Sequence, residues 1–313
     1  MMIVFYIVAF LVLSIALAKS ADWVMKGISY FAHSLKIKSF LLSFLLLGII
    51  TSIPEMFVAF QSVVDKVPQL SIGNLLGGTI FKISFLLGIS AILLSRIVLD
   101  HGMTLFDIGL SSLVMLAPAV VVWDGKLTRF EGILLIAIYC IHITFINKEQ
   151  HVVSTIEYHA KHVKHATHAF ILSIAGLVGM AIASKYLVVL GISSATFLGI
   201  PPFVIGLFLL SIGTNLPELT LAIESIVKKK KDIAFGDILG SSVINTLILG
   251  IVCVVSPFSV PDPQRMQMTL IILALVSVFF LWAASTKKDI TRREGIVLFT
   301  MYIAFVLFEM LRV

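Results

Sequence analysis

Ten apolar stretches run along the chain, and they restrict it to folds that cross a membrane. A helix needs about 20 apolar residues to span a bilayer core of about 30 Å. The mean hydropathy is +1.09 and only 13% of the residues are charged, which excludes an ordinary soluble domain. The sequence therefore predicts an all-α membrane protein with ten transmembrane helices. The predicted spans are 3–17, 39–63, 71–95, 103–122, 131–146, 167–190, 200–226, 234–256, 266–284 and 294–312.

The basic residues are distributed unevenly between the two sides of these spans. If the N-terminus lies outside, most of the 23 Lys and Arg residues fall in predicted cytoplasmic loops, for example Lys228 to Lys231. This positive-inside pattern predicts an integral protein of a prokaryotic inner membrane with both termini extracytoplasmic. It also explains the net charge of +6 without a nucleic-acid partner. Membrane lipid is an expected partner, and no oligomeric state is indicated. Asp107 and Glu309 stand near span ends and are expected to reach the interface.

One motif occurs twice, each time inside an apolar stretch. Residues 51–55 read Thr-Ser-Ile-Pro-Glu and residues 214–218 read Thr-Asn-Leu-Pro-Glu, at an offset of 163 residues. The same offset relates Leu127-Thr128-Arg129 to Ile290-Thr291-Arg292. An offset that relates several distant segments indicates an internal repeat.

Each half of the chain contains five predicted spans. Because five is an odd number, the second half enters the membrane from the opposite side, which predicts two inverted-topology five-helix repeats. The first repeat is expected over 1–146, a cytoplasmic His-rich linker over 147–166 and the second repeat over 167–313. The linker histidines indicate either a solvated amphipathic segment or a site that senses pH or binds a transition metal.

The repeated motif places a proline and a carboxylate where a membrane helix is expected. Pro54 and Pro217 lack an N–H group and clash with the preceding turn, so each helix must kink or unwind and expose carbonyl oxygens. Glu55 and Glu218 follow directly, although a carboxylate in the bilayer is costly. Hard cations such as Ca²⁺ prefer carboxylate, carbonyl and hydroxyl oxygens. Neutral side-chain oxygens are supplied by Thr51, Ser52, Thr214 and Asn215.

The next span of each half carries a glycine-rich segment and a second polar pair. Gly73 and Gly77 stand four residues apart, a spacing that lets membrane helices approach closely. Asn74 and Asp237 occupy equivalent positions, 19 residues after the motif carboxylates, and we expect both to face the same cavity. The predicted metal ligands are Glu55, Glu218 and Asp237.

These segments resemble the two alpha repeats of the sodium/calcium exchanger family, within the cation/Ca²⁺ antiporter superfamily. The resemblance is carried by 51–55 with 71–77, and by 213–218 with 236–242. It implies that the two motif carboxylates are the central cation ligands and that backbone and hydroxyl oxygens near Thr51 and Thr214 complete the site. It also implies alternating access at one midplane site that exchanges Ca²⁺ against Na⁺. The ligands would be the transported Ca²⁺ and Na⁺ (or H⁺), with no cofactor.

One departure from the family pattern is Ile50, which stands where the second half has Gly213, and two more lie in the third span of the first half. Gly78 stands where the second half has Ser241, and Lys82 stands where it has Asn245. Ser241 and Asn245 are expected cation-binding residues, because the family usually has a hydroxyl at the first position and Asn or Asp, which helps to ligate Na⁺, at the second. We interpret Lys82 as a substitute cation that changes the coupling, either to fewer Na⁺ or to H⁺. The plainer alternative is that Lys82 snorkels or pairs structurally.

Other function classes fit the sequence less well. A cation channel would not need two inverted halves with buried carboxylates, and no carbonyl-ring filter sequence is recognisable. An enzyme of the membrane interior would require a nucleophile–base pair, two catalytic aspartates or a His-Glu-x-x-His helix, and none occurs. The sequence also lacks a Gly-Lys-Ser/Thr loop for ATP-driven pumping. It therefore predicts a secondary antiporter and no enzymatic activity.

Overall fold

The structure is a computed structural model that describes residues 2–34, 51–98, 104–145, 165–227, 233–287 and 289–312. These residues are almost entirely helical, because a bilayer offers no hydrogen-bond partners to free backbone groups. A π-helix, Phe81–Leu86, joins the two parts of the third span. The α-helices of the first half are α1 (Met2–Ser34), α2 (Ile53–Val64), α3 (Pro68–Ile80), α4 (Leu87–Leu94), α5 (Leu105–Val121) and α6 (Arg129–Phe145).

The second half repeats this order of helices. A π-helix, Gly206–Leu210, interrupts its second span. Every predicted span of either half overlaps at least one described helix. The α-helices of the second half are α7 (Ala166–Leu198), α8 (Pro202–Ile205), α9 (Ser211–Thr214), α10 (Leu216–Val227), α11 (Ile233–Val255), α12 (Pro263–Lys287) and α13 (Arg292–Met310).

Five helical segments of the described chain are long and apolar enough to cross a membrane. A sixth is obtained if Pro202–Thr214 and Leu216–Ile223, which meet at 46°, count as one broken span. Ile53–Val64 and Leu105–Val121 are apolar but shorter. The protein is therefore an all-α membrane protein, while the number of ten spans stays a prediction. The predicted linker 147–166 lies outside the described residues except for its last two positions.

Two short antiparallel ribbons connect the halves. Strand β1 (Arg96–Val98) pairs with β4 (Asp289–Thr291), and β2 (Lys126–Leu127) pairs with β3 (Phe258–Ser259). Strands β1 and β3 follow the third span of their halves, whereas β2 and β4 precede the fifth. Exchange of the halves therefore converts one ribbon into the other, as expected for repeats related by a two-fold axis.

Matching capping boxes begin the last helix of each half. Thr128 Oγ1 accepts a hydrogen bond from Glu131 N, and the Glu131 carboxylate accepts one from Thr128 N. Thr291 and Glu294 form the same pair of bonds at the start of α13. Such reciprocal bonds satisfy N–H groups that a helix start leaves free. The repeated Thr-Arg-x-Glu segment is therefore a helix-start signal.

The third span of the first half contains one residue more than its counterpart. A Cβ atom on Gly88 would lie 2.9 Å from the carbonyl oxygen of Gly295, and one on Gly250 would lie 2.9 Å from that of Gly132. Since Gly132 and Gly295 are equivalent at the offset of 163, Gly88 corresponds to Gly250 at 162. A π-helix accommodates one extra residue, and Phe81–Leu86 has no counterpart in the continuous α11. The repeat offset is therefore interrupted within this span.

Helix α3 crosses the second span of the other half at very close range. A Cβ atom on Gly73 would lie 2.1 Å from the carbonyl oxygen of Phe203, and one on Gly77 would lie 2.1 Å from that of Leu207. Only glycine permits this contact between backbones, as the four-residue spacing predicts. The crossing brings the polar residues of α3 next to the broken helix of the second half.

We expect Gly77→Ala to destabilise the protein, because the added methyl group would meet backbone atoms that have no alternative rotamer. Overpacking of this kind costs about 1–3 kcal/mol. Thermal unfolding in detergent measures the loss. Gly109→Ala is the control, since a Cβ atom on Gly109 has one neighbour, Leu281 Cδ1, at 4.0 Å. Equal unfolding temperatures for both variants would contradict the close crossing.

The helices form two hydrophobic cores, and the broken helices lie between them. The larger core joins residues of α3, α5, α6, α11, α12 and α13. The smaller core joins α1 and α7 to one side of α2 and of the second broken span. Neighbouring residues show this division. On α2, Val58 packs in the smaller core and Ala59 in the larger core. On the second broken span, Leu210 packs in the smaller core and Leu207 in the larger core. Each motif helix therefore has protein on both sides.

Candidate cation site

The structure breaks both motif helices, at Ser52 and at Asn215, each two residues before the motif proline. The bend at Asn215 is 46°. Pro54 lies in the first turn of α2, and Pro217 has the same place in α10. A missing N–H costs nothing there, because first-turn N–H groups have no partner inside their helix. At each predicted interruption, one helix ends and a new helix begins.

Glu55 and Glu218 lie in the first turns of α2 and α10, with 0% and 1% of their surfaces exposed. The first turn is the positive end of the helix dipole, which stabilises a carboxylate. A buried carboxylate still needs compensating positive charge. The neutral polar residues of the motif are buried with them: Thr51, Ser52, Thr214 and Asn215.

Hydrogen bonds from the second half to α3 close this region. Thr214 Oγ1 donates to Asn74 Oδ1 at 3.1 Å. Asn245 Nδ2 donates to the carbonyl oxygen of Leu75 and to Thr79 Oγ1, both at 3.1 Å. The predicted ligands Thr214, Asn74 and Asn245 therefore meet at the interface between the halves.

Two asparagine side chains present buried oxygen atoms at this interface. Asn215 Nδ2 donates to the carbonyl of Ser211 at 2.6 Å, and the bonds of Asn245 also use its amide nitrogen. Within the described part of the chain, Oδ1 of Asn215 and Oδ1 of Asn245 have no hydrogen-bond donor. Both side chains border Gly78, where a Cβ atom would lie 2.9 and 3.4 Å from their amide nitrogens. Because buried acceptors are normally satisfied, these oxygens fit a hard cation.

Comparison with known proteins assigns the chain to a family. A family model described as sodium/calcium exchanger protein matches residues 5–147 and 168–311. The chain belongs to the sodium/calcium exchanger family. The division into repeats at 1–146 and 167–313 with a linker over 147–166 stays a prediction.

Relatives of this exchanger-family chain include the sodium/calcium exchanger MaX1 of Methanosarcina acetivorans. It is 28% identical, and the alignment covers 92% of this chain and 94% of that protein. A solved structure of the sodium-calcium exchanger NCX_Mj matches 97% of this chain and 98% of its own, with a TM-score of 0.66 at 24% identity. The H⁺/Ca²⁺ exchanger CAX matches 96% of this chain and 82% of its own, with a TM-score of 0.77 at 16% identity. These structural matches show that the fold is that of membrane exchangers.

Lys82 is the residue of the site that differs most from its counterpart in the other half, Asn245. Its side chain is fully buried, and its Nζ lies 3.5 Å from Glu55 Oε1, which is also fully buried. Lys82 belongs to the π-helix Phe81–Leu86, whereas its counterpart Asn245 lies in the regular α11. The side chain therefore turns inward to a motif carboxylate and does not snorkel. The halves differ here in side chain, in charge and in backbone.

The other predicted residues of the exchanger site are placed as follows. Ser241 is buried, and its Oγ donates to the carbonyl of Ile238 at 3.4 Å. Asp237 lies on α11, and its side chain lies outside the described atoms. Among described residues, no three His, Cys, Asp or Glu side chains gather as a metal site, so the ligand set with Asp237 stays a prediction. Of the clustered histidines, His165 and His168 are described and exposed, and those at 151–162 lie outside the described residues.

Sequence reasoning missed buried hydroxyl groups near the site. Ser71 and Thr79 are buried on α3, one turn or more on either side of Asn74. Thr79 accepts the hydrogen bond from Asn245. Hydroxyl residues are common in membrane helices, so composition alone gives no signal. The usable signal was the repeat, because Thr79 corresponds to Ser242 at the offset of 163.

Two carboxylates expected at the membrane interface are buried instead. Asp107 Oδ2 accepts hydrogen bonds from Thr104 N at 2.8 Å and from Thr104 Oγ1 at 2.7 Å. Glu309 Oε1 lies 3.7 Å from Arg312 Nη1. The expectation was wrong because each carboxylate has a partner within one helical turn and therefore does not need to extend into water.

Proposed function

We propose that the protein is a secondary antiporter that exchanges Ca²⁺, or a related divalent cation, against Na⁺. The observation that supports this most directly is the pair of buried carboxylates Glu55 and Glu218, which begin equivalent helices of the two halves. Carboxylate and neutral oxygens together suit Ca²⁺ and also Mn²⁺, Mg²⁺ or Na⁺.

The surrounding residues complete this proposed site. Asn215 and Asn245 offer side-chain oxygens, and Asn74 and Thr214 join the halves beside them. Further proposed cation-binding residues are Thr51, Ser52, Asp237 and Ser241. The breaks before Pro54 and Pro217 add carbonyl oxygens that a continuous helix would use internally.

Alternating access follows from the relation between the halves. Two inverted repeats adopt two conformations that are exchanged when the halves exchange roles, so one central site opens to one side and then to the other. The near-complete burial of both carboxylates describes the site closed to water. A cation channel, the remote alternative, needs an open path and gains nothing from such closure.

A second coupling mode is favoured by the Lys82–Glu55 ion pair. The ammonium of Lys82 lies 3.5 Å from the Glu55 carboxylate, where it would stand in for one bound cation. If it replaces one Na⁺ site, exchange couples to fewer Na⁺ or to H⁺. This candidate differs from the first only in the counter-ion, since both use Glu55 and Glu218 for the divalent cation.

The setting of the protein follows from the same reasoning. We place it in a prokaryotic inner membrane with both termini extracytoplasmic, because that orientation puts most basic residues in cytoplasmic loops. Its partners are membrane lipid and the transported cations. No cofactor, nucleic acid or enzymatic step is required for exchange driven by an ion gradient.

Uptake of labelled Ca²⁺ into reconstituted vesicles tests the function and identifies the counter-ion. Gradients of Na⁺, K⁺ and H⁺ are imposed in turn, with the membrane potential clamped. We expect saturable uptake that one of these gradients drives, with competition by Mn²⁺ or Mg²⁺. Protein-free vesicles are the control. Antiport would be contradicted if Ca²⁺ uptake were the same under every imposed Na⁺, K⁺ or H⁺ gradient, or if the vesicles showed a current that rises linearly with voltage.

A further inference from the structure

A cavity lies between α1, α7 and the second broken span, and neither motif carboxylate lines it. Its volume of about 460 Å³ falls in the range of about 300–1,000 Å³ that is typical of small-molecule pockets. Among the described residues that line it, only Tyr6 and Ser194 carry a polar side chain. The others are aliphatic residues, phenylalanine or methionine. This apolar cavity therefore suits a hydrocarbon and not an ion.

The apolar cavity leads from the lipid-facing surface into the protein. Its outer lining includes Ile7 and Leu198, whose exposed fractions are 53% and 49%. Its inner lining includes Phe10, Val204 and Ile205, all of them buried. Helices α1 and α7 are both long and apolar enough to cross a membrane, so their exposed side chains face the acyl chains of the bilayer. The cavity is therefore open to membrane lipid.

A hydrocarbon chain is the occupant that these surroundings supply. An apolar lining offers water few hydrogen-bond partners, so water does not fill the cavity. An empty cavity would forfeit the dispersion contacts of its lining. A methylene group is about as large as a water molecule, whose share of liquid volume is about 30 Å³, so the cavity has room for about 15 carbon atoms. That is the size of one acyl chain of a membrane lipid.

Ser194 offers a polar contact at the wall of the apolar cavity. It is buried, and within the described part of the chain its Oγ has no hydrogen-bond partner. Ser194 stands four residues before the end of α7 and Tyr6 four residues after the start of α1, so each is about 6 Å from a helix end. The rings of Tyr6 and Phe197 have centroids 5.4 Å apart, and aromatic residues are typical of the bilayer interface. The ester carbonyl of a phospholipid, from which its acyl chain extends, lies at this level and can accept a hydrogen bond from Ser194.

The inner lining of the apolar cavity touches the helix that carries part of the cation site. Phe10 packs on Gly213, since a Cβ atom on Gly213 would lie 2.8 Å from Phe10 Cζ. Ile212, the preceding residue, lines the cavity itself. Thr214 follows directly, and its hydroxyl donates to Asn74. A chain in the cavity would therefore support the short helix α9 beside the site.

We propose that the apolar cavity is a binding site for one acyl chain of a membrane phospholipid, with the ester carbonyl at Ser194 and the end of the chain at Phe10. The chain fills the space between α1 and the second broken span and stabilises their packing. A free fatty acid fits less well, because no Lys or Arg is found among the described residues that line the cavity to pair with its carboxylate. No step of ion exchange is needed for this binding, so it does not depend on the proposed transport function.

Photolabelling of the full-length protein in vesicles tests the site. The probe is a phosphatidylcholine with a photoactivatable diazirine near the end of its palmitoyl chain, and adducts are mapped by mass spectrometry. We expect adducts on Phe10 and Ile205, which are too deeply buried for the lipid that merely surrounds the protein. The double variant Ile7→Trp/Leu198→Trp places larger rings in the outer part of the cavity, and these adducts should be lost.

Ile15→Trp is the matched control for this experiment. Ile15 is exposed on α1 but does not line the cavity, so the control should keep the adducts of the wild type. Labelling of the exposed Leu113 on α5 reports the surrounding lipid and should be equal in all variants. The proposal is overturned if Phe10 and Ile205 are not labelled in the wild type, or if the double variant labels them equally.

The contribution of the ester contact is tested by thermal unfolding of delipidated protein, with phosphatidylcholine added in steps. We expect a saturable rise of the unfolding temperature in the wild type. Ser194→Ala removes one hydrogen bond and should need about fivefold more lipid for the same rise. Ser184→Ala is the control, because Ser184 bonds the carbonyl of Ala181 on the same helix and does not line the cavity. Equal lipid dependence of Ser194→Ala and the wild type would overturn the contact at Ser194.

Discussion

Glu218→Gln is expected to reduce Ca²⁺ exchange by at least about 100-fold. At an effective dielectric constant of about 20, a unit charge about 4 Å away contributes about 4 kcal/mol for each unit of cation charge, and about 1.4 kcal/mol corresponds to a factor of ten. The amide keeps the shape and one oxygen of the carboxylate but loses its charge. The side chain is buried at the start of α10, so bulk water does not compensate for the loss of its negative charge. Initial rates of labelled Ca²⁺ uptake measure the effect.

Two further variants make this prediction specific. Glu55→Gln should lose exchange to a similar extent, since Glu55 is equivalent to Glu218 in the repeat. Glu131→Gln is the matched control, because this carboxylate caps the start of α6 and glutamine can cap a helix in the same way. If Glu218→Gln folds and transports Ca²⁺ at the rate of Glu131→Gln, the motif carboxylates are not the ligands.

Lys82→Asn is expected to change the ion dependence of the protein. In the wild type, Lys82 and Glu55 form a fully buried ion pair. Removing one partner of such a pair typically costs about 3–5 kcal/mol, because the other charge stays buried. A bound Na⁺ can compensate that charge, so the variant should become strongly stabilised by Na⁺ and should require Na⁺ for Ca²⁺ exchange. Thermal unfolding at increasing Na⁺ and vesicle transport under Na⁺ and H⁺ gradients measure the two effects.

Lys185→Asn is the control for that experiment, because Lys185 is exposed on α7. Its Na⁺ dependence should match that of the wild type. Unchanged ion selectivity and unchanged pH dependence in Lys82→Asn would show that the ion pair with Glu55 is structural and plays no part in coupling.

Much of the fold was predictable because the bilayer limits the choice. Apolar length gives the helices, and the second Pro-Glu copy gives the repeat. The two ribbons and the capping boxes at Thr128 and Thr291 then show that equivalent segments of the halves have equivalent structures. The burial of Glu55 and Glu218 at two helix starts was predictable for the same reason, since a carboxylate after a helix-breaking proline is costly to expose in a membrane. Their role as cation ligands stays a prediction.

Other features could not be read from the sequence. The π-helix at Phe81–Leu86 has no composition signal, because its residues suit an α-helix equally well. The contact between Lys82 and Glu55 depends on how α2 and α3 pack, which a linear offset does not give. The burial of Asp107 depends on a capping box with Thr104 at the start of α5. Its position near the end of the predicted span suggested exposure to water instead.

The most direct measurement is the accumulation of labelled Ca²⁺ against its own gradient in vesicles that contain only this protein. With the membrane potential clamped at zero, an opposing Na⁺ gradient (or an H⁺ gradient, if Lys82 replaces Na⁺) should raise internal Ca²⁺ above external Ca²⁺. Reversal of that gradient should drive Ca²⁺ out. Glu55→Gln and Glu218→Gln should abolish both movements. If Ca²⁺ moves only down its own gradient whatever counter-ion is imposed, the protein is not an antiporter.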